Sequence, residues 1–314
     1  MRNRRTKIKI ISIFFALAGA TIFFVLINFA KNAKKAAFDG ELPTQKINSF
    51  SEAKFKAYDK DGKEVSIKSE SVSEERKDDY VLKNSTSAFT LSNGEVLTIF
   101  ANLAKAVSPD KTAWKFDGAV TVSMDSGLLI NTEKMFVDQT KKIASGDSEV
   151  VIRKGDAKLS SKKYFFDMNE RVLTLIGDAK GFLKSNKVAS EKLIIRFDDA
   201  GKNIKSADAI NKVVLFYEKE DKKYEVRSDV MLAQIRGGEV ESAKASGSLI
   251  IKTKDAIIRG RRGILKGDKI EVYDDVAISS EQGNVFGNAA TLDVKTGDII
   301  IDKSSGVLDD GIRK

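Results

Sequence analysis

With 314 residues, 42% of them hydrophobic and 32% charged, the chain is long enough for two ordinary domains and too apolar to be disordered over most of its length. It has no histidine and no cysteine, which excludes disulfides, thiol nucleophiles, Cys or His zinc sites, Ser-His-Asp triads and a histidine general base. The net charge of +9 is local: residues 1–35 hold eight basic residues and no acid, leaving 46 basic and 45 acidic residues elsewhere, so no nucleic-acid partner is expected for the folded part.

From Ile10 to Ala30 the chain runs through 21 uncharged, mostly apolar residues, and a helix of that length at about 1.5 Å per residue spans one bilayer core. A cleaved signal peptide has a shorter apolar region, about 7 to 15 residues, and a small-residue cleavage site. Phe29-Ala30-Lys31-Asn32-Ala33 matches such a site poorly. Residues 1–35 are therefore expected to be a cytoplasmic tail and a single uncleaved transmembrane anchor, the membrane being met by residues 10–30. Five basic residues precede the helix and place the N-terminus inside. The bulk then lies outside the cytoplasm, which in a bacterium means an inner-membrane protein facing the periplasm. Residues 36–49, with Pro43, read as a polar tether.

Beyond the tether, apolar and polar residues alternate almost without pause. The alternation predicts strands near Phe50–Tyr58, Val65–Val72, Tyr80–Leu91, Val96–Val107, Trp114–Met124, Leu128–Asp138, Ile143–Ile152, Ala157–Asp167 and Val172–Leu183. It continues near Val188–Phe197, Ile204–Phe216, Tyr224–Ile235, Glu239–Lys252, Ala256–Leu265, Lys269–Ser279, Asn284–Val294 and Asp298–Ile301. Only Pro43 and Pro109 interrupt the chain, and Gly-containing turns such as Asp61-Gly62, Asn93-Gly94 and Gly237-Gly238 punctuate it. The fold class is all-β. Two facing sheets sharing these strands would stack to roughly 40 Å at about 4.8 Å per strand. The pattern restarts at Ala157, so residues 50–155 and 156–314 are taken as two β segments.

Four segments repeat one another: Thr132 to Asp138, Ser190 to Arg196, Ser228 to Gln234 and Ala289 to Lys295. Each sets two apolar residues two positions apart, hence on one face of a strand. Met135 with Val137, Leu193 with Ile195 and Phe197, Met231 with Ala233 and Ile235, and Leu292 with Val294 are expected to point inward. Such a stack buries an apolar interior that no single repeat makes alone.

Other motifs favour plain readings. Arg259 to Gly263 reads as a solvated edge or turn. Asp59-Lys60-Asp61-Gly62 lacks the glycine of a calcium loop at Glu64. The pairs Asp198-Asp199, Asp274-Asp275 and Asp309-Asp310 read as solvated turns, Ser160 to Lys163 has no sign of an oxyanion site, and Trp114 reads as a packing anchor. No catalytic residue, metal site or cofactor is expected.

Ala157 to Glu218, with its Asp167-Met168 turn, the strand ending at Gly177-Asp178 and the Ser190-Glu191-Lys192 strand, resembles the start of the LptA/OstA-like periplasmic bridge proteins of lipopolysaccharide export. Ser228 to Ile235 and Lys266 to Ile270 extend the likeness. The N-terminal part, with its basic tail, membrane helix, tether, Trp114, Gly118 and Thr132-Glu133-Lys134-Met135, resembles LptC, the anchored partner in that pathway. The resemblance implies an open two-sheet β-jellyroll, or β-taco, whose groove shields lipid A acyl chains. It implies as partners lipopolysaccharide, an ATP-driven inner-membrane transporter and other β-jellyroll bridge proteins joined by strand addition. Groove positions carried across fall at Ala157, Leu159, Phe216, Ala233 and Ile235, joined as groove candidates by Val120, Val122, Met135, Val137, Leu193 and Ile195. A second reading stays open: an anchored β-solenoid with a closed core, acting as an envelope scaffold.

Overall fold

A computed structural model describes residues 49–308, apart from the connections 59–63, 77–78, 91–94, 108–112, 139, 184, 199–203, 220, 237–238 and 303–304. The expected anchor, the expected tether up to residue 48, the Asp59–Gly62 loop, Asp199 and Asp309-Asp310 lie outside the described residues, and Ser49 already belongs to the first strand. Among the described residues no helix is long and apolar enough to cross a membrane, and every regular element is a strand.

The strands divide between two compact units. One holds the described residues through Leu175, together with Phe197 and Asp198; the other holds Ile176–Arg196 and the described residues from Ile204 onward. The division falls at Leu175/Ile176, within a strand, where the sequence reading draws its boundary near Gly155.

The first unit contains β1 (Ser49–Tyr58), β2 (Glu64–Arg76), β3 (Asp79–Thr90), β4 (Val96–Ala106), β5 (Ala113–Met124), β6 (Leu128–Asp138), β7 (Ile143–Gly146), β8 (Val150–Lys154), β9 (Ala157–Ser161) and β10 (Lys163–Asp167). β1 to β6 pair in order, all antiparallel. β6 is continuous but its neighbours are not: β8 pairs with its first half, Leu128 to Thr132, and β7 with its second, Phe136 to Asp138. β9 then pairs with β8, and β10 with β7. The expected single strands Ile143–Ile152 and Ala157–Asp167 are thus each broken in two. The break after Gly146 is held by Ser148, whose Oγ accepts the Lys134 N–H at 2.9 Å and lies 3.0 Å from Thr132 Oγ1.

β11 (Val172–Leu183) carries the division. The second unit continues with β12 (Asn186–Phe197), β13 (Ile204–Lys219), β14 (Lys222–Arg236), β15 (Glu239–Lys252), β16 (Ala256–Lys266), β17 (Lys269–Ser280), β18 (Gly283–Asp293), β19 (Ile299–Asp302) and β20 (Ser305–Leu308). β13 to β18 pair antiparallel in order, and β19 and β20 each take one half of β18.

Seven of the pairings between long strands slip register at mid-strand. The slips fall at Ile210/Val213, Arg227/Val230, Ser246/Leu249, Arg259/Arg262 and Tyr273/Val276 in the second unit, and at Phe100/Leu103 and Asp117/Val120 in the first. Left-handed residue pairs mark them: Gly118-Ala119, Asn211-Lys212, Gly247-Ser248 and Asp274-Asp275. Such bulges bend a strand sharply. Each long strand therefore has two arms joined at a corner, and corners of adjacent strands lie side by side. Asp274-Asp275 is accordingly a corner inside β17 and not a turn between strands. Arg259 to Gly263 lies within β16, paired on both sides, and not at an edge.

The arms of each bent strand bury one core. In the second unit, Val226, Ile251, Ile258 and Ile278 come from one side of the corners, and Val272, Ala290 and Leu292 from the other. Leu249 and Val276 sit at the bend between them.

Candidate functional site

The repeated segment turns out to be the corner itself. Its first residue, Ser or Thr, is buried, and its hydroxyl donates to the carbonyl two residues on: Thr132 to Lys134 at 3.2 Å, Ser190 to Lys192 at 2.9 Å and Ser228 to Val230 at 3.0 Å. Ser69 to Ser71 and Ser161 to Lys163 do the same at 2.8 and 2.7 Å. A hydroxyl is suited to this place because it satisfies a carbonyl that the broken ladder leaves without its ordinary cross-strand partner. The fourth copy, Ala289 to Lys295, has no hydroxyl there and is bent instead opposite Asp274-Asp275.

The acid that follows the hydroxyl points outward at the same corner. Glu191 pairs with Lys212 at 2.5 Å, and Glu70 accepts from Asn84 Nδ2. Asp229 lies against Gly247, where a Cβ would strike its carboxylate and where φ is +72°; only glycine meets both demands. At the next corners the polarity is reversed. Arg262 holds Asp274 through two hydrogen bonds and Arg261 reaches Asp275 at 2.7 Å. The guanidinium of Arg262 keeps the Asp274 carboxyl below the usual carboxylate range.

Inside the corners the residues form apolar rows. In the first unit one row runs Ile99, Val122, Ile130, Ile152 and Leu159, and the row at the bend holds Ala101, Val120, Thr132 and Val150. On the other arm run Leu82, Ala104, Phe116 and Met135, beside Ala106, Trp114, Val137 and Ala144. Trp114 and Phe116 stack at 6.5 Å between ring centroids. Tyr164, which lies against Gly146, is pushed upward in pKa by burial and reaches the Lys134 carbonyl at 3.4 Å.

Most groove candidates share these inward faces. Val120, Val122, Met135, Val137 and Ala157 are buried in the first unit with Leu159 half-buried, and Leu193 and Ile195 are buried in the second. Ala233 and Ile235 continue the inward face of β14 beyond Met231, which packs on the core, and are half-buried at its rim. Phe216 is different. It is 40% exposed on the outer face, between the inward Leu215 and Tyr217, and beneath it lies Lys187, whose Nζ is 5.8 Å from its ring and 5.4 Å from that of Phe182. The odd positions of β13 flanking the bulge at Asn211-Lys212 face inward on both sides, as buried Ala209 and Val213 show, so the even position of Phe216 puts it outside. Candidates absent from the sequence reading are the rim residues in the register row of Ala233: Ala243, Leu265, Ile270 and Ile299, a row that also passes through buried Leu292, with Gly263 one step inward.

The fold and its interior define an all-β protein of bent antiparallel strands, of β-jellyroll type, whose inward apolar rows are buried at the core and half-exposed at the rim. A family model described as lipopolysaccharide-assembly, LptC-related, matches residues 13–184. The chain belongs to this family, and its role is accordingly in lipopolysaccharide transport. Among solved structures it is similar to LptH of Pseudomonas aeruginosa, described as the LptA-homologous periplasmic component of the conserved lipopolysaccharide transport device. That match has 10% identity and a TM-score of 0.24, over 49% of this chain and 94% of that one. The sequence matches no curated protein.

Proposed function

We propose that the protein is a non-enzymatic, inner-membrane-anchored bridge that shields lipid A acyl chains between the arms of its bent sheet and passes them toward the outer membrane. Residues 10–30 would anchor it. The first strands would join a partner domain of the inner-membrane ABC transporter, and the last strands, β19 and β20, would accept a further β-jellyroll by strand addition, the general way an open sheet edge binds. The single observation that carries this reading is the rim. Along Ala233, Ala243, Leu265, Ile270 and Ile299 an apolar inward face emerges half-exposed from a fully buried core. A continuous apolar path matters because each methylene gains about 0.8 kcal/mol on leaving water.

The near-complete burial of Ile251, Ile258, Val272 and Leu292 favours a second reading, a closed-core envelope scaffold. A photoreactive residue placed in cells at Ala233, with Phe216 as the outward control, separates the two. Lipopolysaccharide crosslinked at 233 and not at 216 supports the bridge. No lipid adduct at 233, or at Met231 and Ile235 beside it, leaves the scaffold.

A further inference from the structure

Lys154 ends β8 on its inward face, in line with Val150 and Ile152. Register sets it in one row with Leu97, Met124, Leu128 and Ala157, where it is the only charged member. It is 6% exposed, and its Nζ has no hydrogen-bond partner. Burial lowers the ammonium's pKa, and the carboxylate of Glu95 works in the other direction. Among the described residues one other buried side-chain polar atom lacks a partner, Ser126 Oγ. Ser126 lies in the turn joining β5 and β6, two residues before Leu128, the cross-strand partner of Lys154.

Both orphaned groups therefore fall at one end of one unit. A buried ammonium without a partner is among the costliest things a core can hold, and a methionine or leucine in its place would be more stable. The position makes sense if something supplies the missing acceptor. An ammonium and a hydroxyl at the same end of one unit are donors suited to a tetrahedral oxyanion, with Lys contributing a point charge and Ser a directed hydrogen bond. A doubly charged group also outcompetes the single carboxylate of Glu95 for the ammonium. We propose that Lys154 and Ser126 form a receiving site for a phosphate monoester at the end of the inward rows of the first unit. The source of the phosphate rests on the function proposed above: an amphiphile whose chains follow the apolar rows would present its phosphorylated headgroup here.

The test uses the full chain in detergent with a monophosphorylated acyl glycolipid, its dephosphorylated counterpart and inorganic phosphate as probes. The wild type is expected to bind the phosphorylated lipid about tenfold tighter than the dephosphorylated one. Lys154→Met should abolish that preference without loss of stability in urea, Lys154→Arg should restore it, and Ser126→Ala should weaken it. Inorganic phosphate that competes, and that raises the melting temperature of the wild type but not of Lys154→Met, identifies a site for the free ion as well and supports the proposal. Equal affinity of the wild type for the two lipids, or preference retained in Lys154→Met, overturns the proposal and leaves lipid carriage standing. If neither lipid binds, lipid carriage fails, and the phosphate-induced shift alone then decides the site: present in the wild type and absent in Lys154→Met it stands, otherwise it falls.

Discussion

Tyr224, at the start of β14, donates its phenolic O–H at 3.0 Å to the carbonyl of Val294, just past the end of β18. Beside it Lys222 Nζ donates to the Thr296 carbonyl. Tyr224 lies on the arm of Val226 and Ile251, and Val294 on the arm of Leu292, so the contact clasps the two arms at their ends, away from the corner.

Tyr224→Phe is expected to cost about 1 kcal/mol, since a net hydrogen bond is lost and a buried carbonyl is left without its donor. Burial raises the Tyr224 pKa above its ordinary value of 10.0, with the charge of Asp293 adding to the effect. The sign follows from linkage. A raised folded pKa means the unfolded chain loses its proton first, so this contribution is complete below pH 10 and is lost as pH climbs through the folded pKa. Urea denaturation from pH 8 to 11 should show a decline that is shallower in Tyr224→Phe; identical slopes would show that the phenol is not held by the clasp.

Removing a corner hydroxyl should loosen the bend without emptying the core. Thr132→Val and Ser228→Ala are each expected to lose about 1 kcal/mol in chemical denaturation. Hydrogen exchange should rise first at the amides flanking the altered corner. A cost spread evenly over the unit would argue that the hydroxyl does not organise the bend.

Gly263 allows close packing of the arms, because a Cβ there would lie 2.6 Å from Leu249 Cδ2. Gly263→Ala should therefore cost about 1–3 kcal/mol as overpacking. In Gly263→Ala with Leu249→Ala the two penalties should fall short of their sum, because the new methyl enters space that the leucine vacates. Additive penalties in the double-mutant cycle would refute this contact.

Leu193 and Ile235 both point inward beyond a corner hydroxyl but differ in depth. Leu193→Asp places a carboxylate in a buried position and is expected to destabilise by about 3 kcal/mol or more. Ile235→Asp, at the rim, should cost about 1 kcal/mol and leave a folded protein. Comparable losses, read by urea midpoints, would mean that the rim is as closed as the core.

The strands and their inward faces were legible because period-two alternation survives in nearly every segment. Val120, Val122, Met135, Val137, Leu193 and Ile195 all face inward as their spacing requires. The corners were not legible. A bulge adds residues without changing composition, so Asp274-Asp275 reads as a turn; Phe216, placed in the groove by the resemblance alone, lies on the outer face of β13. The broken strands β7 to β10 were hidden for the same reason: Ser148 and Ser161 look like ordinary strand residues until their hydroxyls are seen to serve the bend. Lys154 left no signal, since a lysine near a Gly-Asp turn is normally solvated.

The corner hydroxyls have one more effect. Each of Ser69, Thr132, Ser190 and Ser228 binds a carbonyl of its own strand two residues away, and Ser161 at the end of β9 binds that of Lys163 at the start of β10. Curvature is thereby encoded strand by strand and does not depend on how many neighbours follow. A chain built this way is modular in length: a hairpin gained or lost by duplication or deletion would arrive with its own bend, leaving the remaining folds in register.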